Sequence, residues 1–279
     1  MKIKKLISAL VLGSMLVGLS GCNITDFSAE NLLRPPKAVG DEAEIEQLIA
    51  KTADSGYTLK YPKNGKFRSA IIMTDLDGND SNEAVAFFRN SVETSSVHML
   101  VMYSKDNSWE IASDNIFETT DIDSVDFADL TGNGKAEIIV NSTTYTPNVG
   151  KLSCYSYSEG KTNEVGSGQS CSSFVTGDFD NDGTSEIMSL VLYTTENEAL
   201  ASMLDYNEDS KSLYAKAMAN MDPNVVKYKN IAVTKLDNDI TGIVVDGTSA
   251  NEVTNTQVIF YSRDLAILRN PLFKEKAKN

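Results

Sequence analysis

The chain has 279 residues, 25 Lys and Arg against 39 Asp and Glu, and a formal net charge of −14. With 41% apolar residues and 8% aromatics it can bury the core of one large domain or two small ones, which argues against wholesale disorder. The acidic balance argues against nucleic acid as a partner, and one histidine with three cysteines excludes a multi-histidine metal centre and any CxxC framework.

Residues 1–21 read as an address. Lys2, Lys4 and Lys5 form a basic start, Leu6 to Leu19 carries no charge, and Ser20 and Gly21 precede Cys22. That order predicts a secretory signal peptide, too short for a spanning helix. Leu19-Ser20-Gly21-Cys22 resembles the bacterial lipobox. The resemblance implies that Cys22 becomes a diacylated N-terminus, an extracytoplasmic protein held to the membrane by two acyl chains. Plain secretion is the alternative. Removing residues 1–21 removes three lysines and no acid, which takes the net charge to −17. Residues 22–40 read as a tether stiffened by Pro35-Pro36.

Residues 41–279 form the expected domain. A helix opens it, with Asp41 as cap, Glu44 answering as in a capping box, and Ile45, Leu48, Ile49 and Thr52 on one face before Gly56. From Tyr57 onward the pattern is period two. Short runs of Val, Ile, Phe, Tyr and Thr recur between Gly, Asn, Asp and Ser clusters, an all-β signature. Cys154 and Cys171 allow either a disulfide or two small buried residues in neighbouring strands.

A loop repeats along the domain. Asp75-Leu-Asp-Gly-Asn-Asp-Ser-Asn-Glu83, Asp129-Leu-Thr-Gly-Asn-Gly-Lys-Ala-Glu137 and Asp178-Phe-Asp-Asn-Asp-Gly-Thr-Ser-Glu186 align without a gap, each before an apolar run. A fourth, around Asp237, Asn238 and Asp239, lacks the closing acid. The steps are 54, 49 and 57 residues, room for four short strands each. The first unit offers Ser69–Asp75, Glu83–Arg89, Val97–Ser104 and Trp109–Ala112. Four-stranded units at that period predict the blades of a β-propeller, about four to five of them, with Tyr57–Tyr61 completing a ring or protecting an edge.

Oxygen-bearing residues stand at loop positions one, three, five and nine. They are Asp75, Asp77, Asn79 and Glu83; Asp129, Thr131, Asn133 and Glu137; Asp178, Asp180, Asp182 and Glu186. Such alternation turns side chains to one centre, and calcium takes six to eight oxygens, to which the carbonyls of Ser81, Lys135 and Thr184 could add. Position six (Asp80, Gly134, Gly183) suits a left-handed turn. An EF-hand is excluded, because position twelve is Ala86, Val140 and Ser189 and the flanks are strands. The alternative is an acidic turn whose side chains serve only backbone hydrogen bonds. Carboxylate counts rank the sites third, first, second, with the fourth empty.

These loops resemble FG-GAP or VCBS repeats, as in integrin alpha-chain propellers. With Asn31-Leu-Leu-Arg-Pro-Pro-Lys37 and Tyr57-Thr-Leu-Lys-Tyr-Pro62 they resemble VCBS repeat-containing bacterial lipoproteins. The resemblance implies a β-propeller with calcium in inter-strand loops and no catalytic role, although the family loop often closes with Asp and these close with Glu. The resulting expectation is a non-catalytic surface module that binds a protein or glycan. The alternative is an enzyme acting on polysaccharide through an acidic pair in the propeller mouth, or a subunit of a larger assembly. His98 lies in a strand run without GxSxG or HExxH nearby, so a structural role is expected. Trp109, Tyr145, Tyr155 and Tyr157 are expected to pack between blades or line a sugar site. Lys274 to Asn279 read as a solvated basic tail.

Overall fold

Sixteen of the seventeen strands form four antiparallel meanders, each folded from four consecutive strands. The structure is a computed structural model and describes residues 40–54, 56–146, 148–193, 196, 198–237 and 239–272. The signal peptide, Cys22, the tether up to Val39, Asn238 and the basic tail lie outside the described residues.

Helix α1 (Asp41–Ala53) comes first. Sheet one holds β1 (Tyr57–Leu59), β2 (Ile71–Thr74), β3 (Glu83–Asn90), β4 (Val97–Lys105) and β5 (Ser108–Phe117). Sheet two is β6 (Ile122–Ala128), β7 (Glu137–Thr143), β8 (Gly150–Ser158) and β9 (Lys161–Cys171). Sheet three is β10 (Ser173–Gly177), β11 (Glu186–Tyr193), β12 (Glu198–Asn207) and β13 (Ser212–Asn220). Sheet four is β14 (Val225–Asp237), β15 (Ile240–Ser249), β16 (Thr254–Ser262) and β17 (Ile267–Arg269). Among the described residues α1 is the one helix, and none is long and apolar enough to cross a membrane.

Four apolar cores lie in series. Ile45, Ile49 and Ala53 of α1 pack on Ala84, Ala86, Phe88 and Leu100 of sheet one. The opposite face of that sheet, with Val85, Phe87 and Met99, packs on Val125, Ile138 and Val140 of sheet two. Ile139, Leu152 and Cys154 then meet Ile187, Leu204 and Leu213 of sheet three. Met188, Leu190 and Met203 meet Ile243, Val245 and Ile259 of sheet four. The sequence follows from this stacking. β3, β7 and β11 are covered on both faces and are almost continuously buried, hence their unbroken apolar runs. β15 has a neighbouring sheet on one face and shows alternation instead.

The structure corrects the helix cap of the sequence reading and decides between its two alternatives for β1, in favour of protecting an edge. Gly40, at φ +63°, is the N-cap of α1, and no side chain caps the helix. Its carbonyl takes the N–H groups of Ala43 and Glu44, while the Glu44 carboxylate accepts the Trp109 N–H at 3.4 Å, so the Asp41–Glu44 box does not form. β1 closes no ring. It pairs with Phe88, Arg89 and Asn90 on the same edge of β3 that β2 pairs further along, and so covers the rest of that edge.

Cys154 and Cys171 are both free and buried. Cys154 faces Gly166 and Cys171 faces Gly150 across β8 and β9, so the two lie four residues apart along the ladder. At about 3.3 Å per residue that is about 13 Å, beyond the reach of a disulfide. Burial pushes both thiols up, Cys171 to about 12.

Candidate metal centres

Each repeated loop joins the first strand of a four-stranded meander to its second: β2 to β3, β6 to β7 and β10 to β11. The apolar residue at position two anchors it, and Leu76, Leu130 and Phe179 are all buried. The glutamate at position nine starts the next strand and reaches back to that residue. Glu83, Glu137 and Glu186 each accept the position-two N–H through Oε2, at 2.8, 2.8 and 2.7 Å. The closing Glu is therefore built into the loop and buried.

The position-one carboxylate organises the turn. Asp75 accepts the N–H groups of Gly78, Asn79 and Asp80. Asp129 accepts those of Asn133 and Gly134, and Asp178 those of Asp182 and Gly183. Position five accepts the N–H of position seven in all three, at 2.7 to 2.8 Å. The backbone turns left-handed at position six, as expected for Asp80, Gly134 and Gly183. It also does so at position four, in Gly78, Gly132 and Asn181, which the sequence reading missed. At Gly132 a Cβ would also fall 2.7 Å from the Thr184 methyl, so space and φ both favour glycine there.

The three loops differ in what their inward oxygens meet. In the third, Asp178, Asp180, Asp182 and Glu186 each bring one ligand atom within 4.8 Å of the others, and in the first Asp75, Asp77 and Glu83 do the same. Asp77 Oδ1 and Glu186 Oε1 are buried without a hydrogen-bond partner. Leaving a carboxylate oxygen so is costly, and a cation between the acids would remove the cost. Burial first, then Asp180, Asp182 and Asp205, pushes Glu186 up to about 8 against the Phe179 N–H. Burial, with Asp77 and Asp75, also raises Glu83. The second loop answers its own need, because the Thr131 hydroxyl donates to Glu137 Oε1 at 3.2 Å.

Sequence counting also missed Lys216. This β13 side chain binds Asp180 Oδ2 in the third loop and Asp205 Oδ2, at 2.8 Å for the latter. Though burial opposes it, the two carboxylates hold its ammonium well above the ordinary range. The richest acidic loop thus already faces one internal cation. In the fourth repeat Asp237 and Asp239 are described, and the Asp239 carbonyl accepts the Asn181 side-chain N–H at 2.6 Å.

Consecutive loops are stitched together. The Ala136 N–H donates to the Leu76 carbonyl at 3.0 Å and the Ser185 N–H to the Asp129 carbonyl at 2.9 Å.

His98 donates from Nδ1 to the Asp114 carboxylate, 2.9 and 3.0 Å from its two oxygens, and stacks on Phe88 with centroids 4.8 Å apart. It sits in a strand, as expected. Trp109, Tyr155 and Tyr157 are buried in the cores, whereas Tyr145 is exposed. No protein-family model and no curated protein matches the chain. The fold and loops define its class: an all-β protein of four consecutive antiparallel sheets, with acidic clusters able to take a metal ion in two of its inter-strand loops.

Proposed function

We propose that the chain is a calcium-braced, non-catalytic binding module, a four-bladed β-propeller arc of the FG-GAP/VCBS kind, carried outside the cytoplasm on a lipidated Cys22. The observation that carries the calcium reading is the pair of buried, unpartnered carboxylate oxygens, Asp77 Oδ1 and Glu186 Oε1, inside the acidic clusters of the first and third loops. An all-oxygen, carboxylate-rich donor set suits a hard divalent cation, and irregular loop geometry suits calcium better than magnesium, which demands a near-ideal octahedron. The ion would tie the start of one strand to the end of another. Its partner is a protein or a glycan.

Calorimetric titration of residues 23–279 with calcium, with melting curves in parallel, should give heat and a raised melting temperature. The Asp178→Ala, Asp180→Ala double variant should lose the third-loop share. No heat and no melting shift at millimolar calcium would reduce the loops to acidic turns. The same titration should release protons near neutral pH. Glu186 binds its proton more tightly folded than unfolded, so without metal it adds stability below its ordinary 4.5. That contribution is lost as pH rises towards about 8. Calcium displaces this proton, so the measured heat should change with the ionisation heat of the buffer. Lipidation is tested separately: labelled palmitate should enter the full-length chain in a bacterial host and not its Cys22→Ala variant, and label retained in that variant would remove the anchor.

A further inference from the structure

The outer edge of sheet four is unlike those of the other three sheets. There the fourth strand covers the third along all or nearly all of its length: β5 pairs the whole of β4, β9 the whole of β8, and β13 residues 200–207 of β12. In sheet four β17 is three residues long and pairs only Phe260, Tyr261 and Ser262 of β16. Residues 254–259 of β16 pair with β15 on one side, and among the described residues no strand lies on the other. The backbone groups of an antiparallel strand alternate between its two sides, so half the N–H and C=O groups of this stretch face outward. Such a row is a template for another strand.

Folded proteins guard such edges with charge, proline or a bulge. The other three outer strands have both charge and a bulge: β5 carries Glu110 and Asp114, β9 carries Lys161 and Glu164, β13 carries Lys216, and each of their ladders has a register shift. β16 reads Thr254-Asn-Thr-Gln-Val-Ile-Phe-Tyr-Ser262, without charge, proline or glycine, and its ladders run without a shift. That is the composition of strands that pair with copies of themselves. Large apolar side chains bound the uncovered stretch, with Val253 50% exposed just before it and Leu272 62% exposed just past β17. Charge singles out the same sheet. Residues 40–224 hold 12 Lys and Arg against 31 Asp and Glu, whereas residues 225–272 hold five of each. Copies of this acidic chain repel one another elsewhere and can approach here.

We propose that two copies of the chain pair through this edge, β16 against β16, antiparallel about a two-fold axis at Thr256. A two-fold contact uses the same strand from both copies, and the two sheets become one. Thr256 then stands opposite its own copy, and Thr254 of each chain opposite Val258 of the other. The outward backbone groups of each strand find partners, and no like charges meet across the pair. Val253 of one copy comes towards Leu272 of the other, which takes both out of water. The contact is one strand pair with an apolar fringe, so it belongs with the small, concentration-dependent interfaces. It depends on neither the acidic loops nor a lipid on Cys22.

Analytical ultracentrifugation of residues 23–279, from about 1 μM to about 1 mM, should show monomer passing to dimer. The Thr254→Lys, Asn255→Lys double variant changes two exposed side chains. It should raise the midpoint tenfold or more with an unchanged melting temperature. Thr256→Cys should form an interchain disulfide under mild oxidation, because directly opposed residues lie within disulfide reach. Cys154 and Cys171 are buried and do not compete. Lys161→Cys, on the outer edge of sheet two, should stay uncrosslinked. A chain stopped at Leu272 should dimerise at least as well as the longer one. Monomer at every concentration, dimers indifferent to the lysines, no crosslink at Thr256→Cys or an equal one at Lys161→Cys each overturns the proposal. So does dimerisation of the shortened chain alone, which would mean that residues 273–279 occupy the edge.

Discussion

Replacing Lys216 by Met should raise the proposed calcium affinity of the third loop about tenfold or more and reverse the order in which the loops fill. Carboxylate count alone ranks the third loop first. The ammonium held by Asp180 and Asp205 changes that, since an incoming divalent ion must share or displace it. Two unit charges 4 Å apart interact by about 4 kcal/mol at the effective dielectric of a protein surface. Lys216 retains 23% of its side-chain exposure, which screens part of this. About 1.4 kcal/mol is enough for a tenfold change. In the wild type the first loop, whose Asp77 Oδ1 is bare, should therefore fill first. The two loops are separated by titrating wild-type and Lys216→Met proteins that both carry Asp75→Ala and Asp77→Ala. Unchanged third-loop affinity would sink the idea. The metal-free variant should also melt lower than the wild type, because it leaves Asp180 and Asp205 buried without their cation, and calcium should restore it.

Phe87 and Phe88 provide the second large effect. They are adjacent in β3 and fully buried, yet they point to opposite faces. Phe87 belongs to the core between sheets one and two, Phe88 to the core between sheet one and α1. Either Phe→Ala change should cost about 3–5 kcal/mol, a melting drop on the order of 10 °C for a domain of this size. Their local consequences separate. Phe88→Ala removes the platform under Ile49 and the stacking partner of His98, so hydrogen exchange should quicken first in α1. Phe87→Ala should quicken it first in β6 and β7. The reverse pattern would mean that the cores are not arranged in series as described.

The parts legible in the sequence are local. The acidic loops could be aligned because each is a nine-residue unit whose hydrogen bonds run between its own members, from Asp75 to Asp80 and from Glu83 back to Leu76. The strands after them were legible because coverage on both faces demands continuous apolar runs. What failed depends on distant neighbours. β5 was expected to stop at Ala112 and continues to Phe117, its polar second half kept in register with β4 past an irregularity at Val101 and Met102. Lys216 lies 36 residues from Asp180, and nothing near either marks the pairing. The Asp41–Glu44 box failed because Gly40 takes the cap and Glu44 turns to Trp109, 65 residues away. The aromatics were half legible: the blade-packing alternative describes Trp109, Tyr155 and Tyr157, and Tyr145 stands in solvent.

The stitches between loops bear on how the metal sites communicate. Position eight of each later loop hangs by its N–H from position one or two of the loop before it, through Ala136 to Leu76 and Ser185 to Asp129. The second loop, whose Thr131 and Glu137 satisfy each other, lies between two loops that each hold a bare carboxylate oxygen. Ordering either neighbour fixes one end of its backbone, so occupancy at one site lowers the entropy lost at the next. Were both outer loops to take an ion as proposed, these stitches would couple them positively through the middle loop, so filling of one should sharpen filling of the other.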